Sequence, residues 1–170
     1  KPYPVEIPLK LSIAVDTRTK KICSLRLRSK KAHDIKDAKY LINHLPSKPK
    51  KIVADKGYDA EWLHRFCKAK GIKAVIPARK KGKAVHQRWS LRRMQKIKKN
   101  VYGRREIIES VFSAIKRKFG ASVSSVKFSA QRAEMYCRAI THNIMAYLLG
   151  HFERCLKNNL FLLYNFFSYS

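Results

Sequence analysis

The sequence predicts an α/β fold, with a mixed sheet flanked by helices, and three observations carry that expectation. Residues 9–15, "LKLSIAV", and 22–28, "ICSLRLR", alternate in hydropathy, as strands with one buried face do. Two short apolar runs, 51–54 and 72–78, each follow a stretch of helical periodicity. Two long helical patterns, about 101–119 and 129–150, close the chain. Alternation of this kind, strand with helix, is the mark of an α/β layer architecture.

Taken in order, the first two strands form a hairpin, because "DTRTKK" between them supplies turn residues. "HDIKDAKYLINHL" (33–45) reads as a helix with an acidic first turn and Pro46 just beyond its end. A strand at 51–54 runs into Asp55 and Gly57. "DAEWLHRFCKAKG" follows as a helix, with Asp59 expected as its N-cap and Gly71 at its C-terminal cap. Pro77 stops the strand 72–78. From Arg79 to Lys99 the chain holds ten Lys or Arg and Trp89 with little apolar pattern, a basic excursion. The two long helices are joined by "GASVSSVKFS". Residues 1–8 read as a linker, 9–150 as one domain with the excursion at 79–100 inside it, and 151–170 as a tail.

A chain of 170 residues with 45% apolar residues can bury a core, so it is not a disordered basic tail. With 39 basic against 11 acidic residues the net charge is +28, which points to a polyanion as partner. Nucleic acid is the first expectation; an anionic membrane surface or a ribosomal scaffold also fits the charge alone. Cys23, Cys67, Cys137 and Cys155 are widely spaced, without a CxxC pair. They read as small buried hydrophobes in a reducing cytoplasm rather than zinc ligands. The apolar "LFLLYNFFSYS" is too short to span a bilayer, and no membrane role is expected.

The acids can be sorted by their local setting. Asp34 and Asp37 occupy a helix first turn, where the macrodipole accounts for them. Asp16 opens the hairpin turn, a favoured place for aspartate. Glu134 has Arg138 one helical turn on. Two acids stand apart. Asp55 directly follows a strand and so sits at the carboxyl edge of the sheet, where α/β folds place ligand sites. Glu109 shares a polar helix stripe with Tyr102, Arg105 and Lys116, all within roughly 60° of arc at 3.6 residues per turn. Ile107, Ile108, Val111 and Ile115 fill the neighbouring arc. Two rigid carboxylates on a basic protein suit Mg²⁺ or Mn²⁺, hard ions that take oxygen donors and share phosphate ligands. The plainer accounts are a turn aspartate in "DKG" and an ordinary i,i+4 ion pair of Arg105 with Glu109. Histidines at 33, 44, 64, 86, 142 and 151 fall at no metal or triad spacing.

"YGRREIIESVFSAIK" (102–116) resembles the Y-x2-R-x3-E-x6-K helix of bacterial and archaeal insertion-sequence transposases of the DDE class. "LKLSIAVDTRTKKI", "AHDIKDAKYLI", "IVADKGYDAEWL" and "RAITHNIMAYLL" resemble further stretches of the same family, so the likeness covers about residues 9–150. It implies an RNase H-like fold and metal-dependent strand cleavage and transfer on double-stranded transposon ends and target. Asp55 would then be the second catalytic acid and Glu109 the third, both binding metal, with Tyr102, Arg105 and Lys116 on the DNA. Trp89 becomes a candidate for stacking on an extruded base, and self-association in a synaptic complex is expected of the family. The family carries its first aspartate on a strand that precedes the hairpin, in the centre of the sheet. No such strand is legible here, and Asp16, which corresponds to the turn after the family's second strand, is only a weak candidate. The resemblance therefore implies either the C-terminal portion of a longer or split transposase or a truncated remnant that only binds DNA.

Overall fold

The structure, a computed structural model, describes residues 9–30, 32–79, 97 and 99–158, with side chains as far as 151. Trp89 and nearly all of the basic excursion lie outside the described residues. The architecture is α/β. Its elements run β1 (Lys10–Val15), β2 (Ile22–Arg28), α1 (Ile35–Asn43), β3 (Lys51–Val53), a 3₁₀ turn (Lys56–Tyr58), α2 (Glu61–Ala69) and β4 (Lys73–Val75). There follow α3 (Lys99–Tyr102), a second 3₁₀ turn (Gly103–Arg105), α4 (Glu106–Phe119) and α5 (Phe128–Asn158). No described helix is long and apolar enough to cross a membrane.

The four described strands form two separate ladders. β1 pairs antiparallel with β2, Lys10 opposite Arg28 and Ile13 opposite Leu25, with an irregularity at Ala14/Val15. β3 pairs parallel with β4, Lys51 opposite Lys73. One continuous mixed sheet would need a further strand to join them, and none of the described strands does so.

Each ladder has its own core. Ile13, Ile22 and Leu25 of the hairpin pack with Val111 and Ile115 of α4 and Ala139 of α5. Ala38 of α1, Leu63 and Cys67 of α2, and Ile72 and Ile76 around β4 make the second cluster. Burying the Val, Leu and Ile side chains among them contributes about 1.5–3 kcal/mol apiece. Gly71 ends α2 as expected: its φ is +65°, its amide donates to Lys68 and that of Ile72 to Cys67, both at 2.8 Å. That pattern closes a helix on a residue without a Cβ. The chain between α4 and α5 is gathered by Glu134, which accepts from the Ser124 and Ser125 amides and from Arg138 at 2.5 Å.

The alternation in the hairpin suggested one wet face. Instead α1 covers it. Asp37, with no exposed surface, accepts from Ser12 Oγ at 2.9 Å and Arg28 Nε at 2.5 Å, and Arg26 Nε stands 3.3 Å away. Its place in a helix first turn concealed this tertiary role.

α5 has thirty-one residues, about 46 Å at 1.5 Å per residue. Its inner side reaches the hairpin through Asn143, which brackets the backbone of Ile22, and through His142 on Lys20. Its outer side carries Ile140, Ile144 and Leu148, with Ile140 57% and Ile144 54% exposed, while Tyr136 and Tyr147 flank the hairpin contact through the Leu25 carbonyl and Lys21. Among the cysteines, Cys67 is buried as expected, Cys23 is half-buried and Cys137 is exposed; all three are free thiols.

Candidate active site

β3 ends at Val53, and the parallel ladder persists one residue more through the Ala54 amide on Val75, at 3.2 Å. Asp55 then leaves the ladder at its carboxyl edge, where the sequence placed it. Its backbone is extended, and its Oδ1 caps the following 3₁₀ turn by accepting from the Gly57 amide at 2.7 Å. Among the described residues its Oδ2 takes no hydrogen bond, so one oxygen is held and the other is available.

Glycine at 57 is what permits this. A Cβ built there would stand 2.8 Å from Asp55 Oδ1 and 3.3 Å from Asp34 Oδ2. The two carboxylates thus converge on the same α-carbon. Lys10 Nζ balances Asp34 at 2.6 Å. Burial, with the charges of Asp34, Asp55 and Asp37 adding to it, pushes the Tyr58 phenol well above its usual range. Gly57→Ala is expected to swing the Asp55 carboxyl off its cap at a stability cost under about 1 kcal/mol, since only a short side chain must move. Any metal-dependent cleavage would fall about tenfold, because a second-sphere change of that kind misorients a ligand. Comparing urea midpoints with cleavage rates checks it.

Glu109 lies in the first helical turn of α4 and points outward, 65% exposed. Arg105 Nη2 stands 3.4 Å from its Oε1, and the same guanidinium lies 5.8 Å from the centre of the Tyr102 ring. Tyr102, Arg105 and Glu109 are therefore neighbours, joined as the spacing required. The expectation of one helix over 101–119 needs a correction, because the second 3₁₀ turn at Gly103–Arg105 separates α3 from α4. Lys116 is exposed near the far end of α4, two turns from Glu109 on the same side. An exposed pair such as Arg105–Glu109 adds little to stability, so its placement is free to serve a ligand.

Asp16 is occupied locally. Its two oxygens accept from the Arg18 amide at 2.9 Å and the Thr19 hydroxyl at 2.8 Å within the hairpin turn. The Arg18 amide foremost, against some desolvation, keeps its carboxyl below the usual range. Trp89 lies outside the described residues. Asp59 departs from expectation, since the N-cap of α2 is Ala60 and Asp59 serves elsewhere. Its Oδ2 accepts from the backbone amide of Arg79 at 2.6 Å.

The donor chemistry at Asp55 and Glu109 fits a hard divalent ion, with one unengaged oxygen on Asp55 and an exposed carboxylate on Glu109. The two rise from different packing clusters, Asp55 beside the β3–β4 core and Glu109 on the helix that packs on the hairpin. Among the described residues no three His, Cys, Asp or Glu side chains come together as a metal cluster.

Residues 7–144 match the family described as "Transposase DDE domain". Comparison with curated proteins and with solved structures gives no match. The matched span is most of the chain and includes the hairpin, the Asp55 turn and the Glu109 helix. The chain belongs to the transposase DDE-domain family.

Proposed function

We propose that this chain is the catalytic-domain portion of a DNA transposase, with Asp55 and Glu109 as metal-binding acids. The observation that carries the reading is the family match, together with an acid at a sheet's carboxyl edge and another on a basic helix. In an RNase H-like arrangement the two ladders are halves of one sheet. The strand bearing the family's first aspartate would lie between them.

When bound, one or two Mg²⁺ or Mn²⁺ ions would activate the attacking oxygen and stabilise the leaving one. Asp55 presents Oδ2 while Gly57 holds Oδ1. Arg105 and Lys116 neutralise phosphates, and the Tyr102 hydroxyl bonds a phosphate oxygen. Water attacks phosphorus at the element end, and the P–O3′ bond breaks to give a 3′-hydroxyl and a 5′-phosphate. That hydroxyl then attacks a target phosphate and displaces the target's own 3′-oxygen. The site of action is DNA in the cytoplasm. Self-association in a synaptic complex belongs to the same reading, and the exposed apolar side of α5 supports it.

Nicking of supercoiled DNA with Mg²⁺ or Mn²⁺ tests the reading. Asp55→Asn should abolish cleavage and leave metal-free DNA binding in place. DNA binding without metal-dependent nicking by the unaltered chain would favour the second reading, a non-catalytic DNA-binding remnant, for which the +28 charge is the supporting observation. Preference for RNA over DNA would remove both.

Binding should be strongly salt-dependent. Arg105→Ala and Lys116→Ala are each expected to reduce the slope of log K against log salt by about one. Anisotropy titrations at several salt concentrations read the slope; an unaltered slope would take that residue off the phosphate backbone.

A further inference from the structure

The turn that carries Asp55 is held from outside itself, by the first residue of the basic excursion. Arg79 Nε donates to the carbonyl of Lys56 at 2.6 Å, and the Arg79 amide donates to Asp59 Oδ2 at 2.6 Å. The Asp59 side chain is fully buried, with His64 Nε2 3.9 Å from its other oxygen. Lys56 and Asp59 are themselves joined by the Asp59 amide on the Lys56 carbonyl, at 3.2 Å. Inside this frame the Tyr58 amide donates to the Asp55 carbonyl at 3.1 Å and the Gly57 amide to its carboxylate. One residue thus grips the turn at both Lys56 and Asp59, the residues on either side of Gly57 and Tyr58, after β4 has already tied to Ala54.

We propose that Arg79 is a positioning residue for Asp55, fixing the 3₁₀ turn so that Oδ1 keeps its cap and Oδ2 is left for a cation. The inference rests on reading Asp55 as a metal ligand. A guanidinium suits the task because its planar fork can bond a carbonyl at a fixed angle. A charged donor also makes the stronger bond. A lysine at 79 would keep the charge and the backbone amide but lose the Nε–H to Lys56. Fixing a ligand through the groups behind it is what commonly separates a tight metal site from a loose one.

The competing role for Arg79, which is exposed and opens a basic run, is a phosphate contact. A strictly structural role is the other. Mn²⁺ titration by water-proton relaxation on the full chain, without DNA, separates them. Arg79→Lys should weaken Mn²⁺ binding about tenfold, as outer-sphere changes do. Asp59→Ala, which removes the acceptor of the Arg79 amide, should weaken it in the same direction through the other end of the grip. Metal-free DNA affinity of Arg79→Lys should stay within about twofold, because the charge remains. Wild-type Mn²⁺ affinity in folded Arg79→Lys and Asp59→Ala would overturn the proposal, whether or not their melting temperatures fall. Asp55→Asn is the control. If that change leaves Mn²⁺ binding intact, Asp55 is not the ligand and both the reading and the inference fall.

Discussion

Glu109→Gln is expected to reduce metal-dependent strand cleavage by on the order of a thousandfold, about 4 kcal/mol of transition-state stabilisation. DNA affinity should be unchanged or slightly improved. The amide keeps the size and helical setting of the side chain, so α4 should fold as before. What disappears is an anionic oxygen donor, and a neutral amide is a poor ligand for a hard divalent ion that competes with water. Removing a negative charge beside Arg105 leaves that guanidinium freer for phosphate, hence the direction on DNA binding. Glu109 is exposed and its ion pair is long at 3.4 Å, so the loss cannot come from stability. Cleavage rates under single-turnover conditions, paired with anisotropy, measure both quantities. Cleavage within about tenfold of wild type would remove Glu109 from the chemistry, as an essential metal ligand contributes several kcal/mol.

Asp37→Asn is expected to destabilise the fold by about 3 kcal/mol, a large share of what a domain of this size has in hand. Asp37 is wholly enclosed, while Arg26 and Arg28 keep 30% and 29% of their side chains exposed. Removing the charge leaves two guanidiniums facing each other beneath α1, with only partial hydration to compensate. Partial exposure places the effect at the low end of the range for broken buried pairs. Ser12→Ala, which removes a single neutral donor, should cost only about 1 kcal/mol. A urea midpoint for Asp37→Asn within about 0.5 kcal/mol of wild type would show that the clamp adds nothing net, as a surface substitution would.

Period-two alternation and turn residues made the hairpin legible, and Gly71 made the end of α2 legible, because local backbone preference decides those features. The neighbourhood of Tyr102, Arg105 and Glu109 was legible for the same reason, being set by helical spacing within one segment. Features that join distant segments were not. Asp37 looked like a macrodipole residue and Asp59 like a cap, because a first-turn acid has the same local appearance whether or not another strand supplies an arginine. A signal for Asp37 did exist: Arg26 and Arg28 point to the same side of β2, opposite Ser12, and a helix laid over them must bring an anion. No comparable pattern announces Arg79, which reads as one more base at the head of a basic run. The division of the described strands into two separate ladders, where the periodicity suggested one mixed sheet, was likewise beyond a local reading, since pairing between distant strands depends on what lies between them.

Diffraction from crystals of the chain grown with Mn²⁺ and a DNA end, recorded at the manganese absorption edge, tests the central claim most directly. The account predicts an anomalous peak with an oxygen of Asp55 and an oxygen of Glu109 each about 2.0–2.2 Å away, or one such peak at each with a phosphate oxygen bridging them. Peaks that touch neither carboxylate, or Asp55 and Glu109 turned to separate faces of the protein, would contradict it.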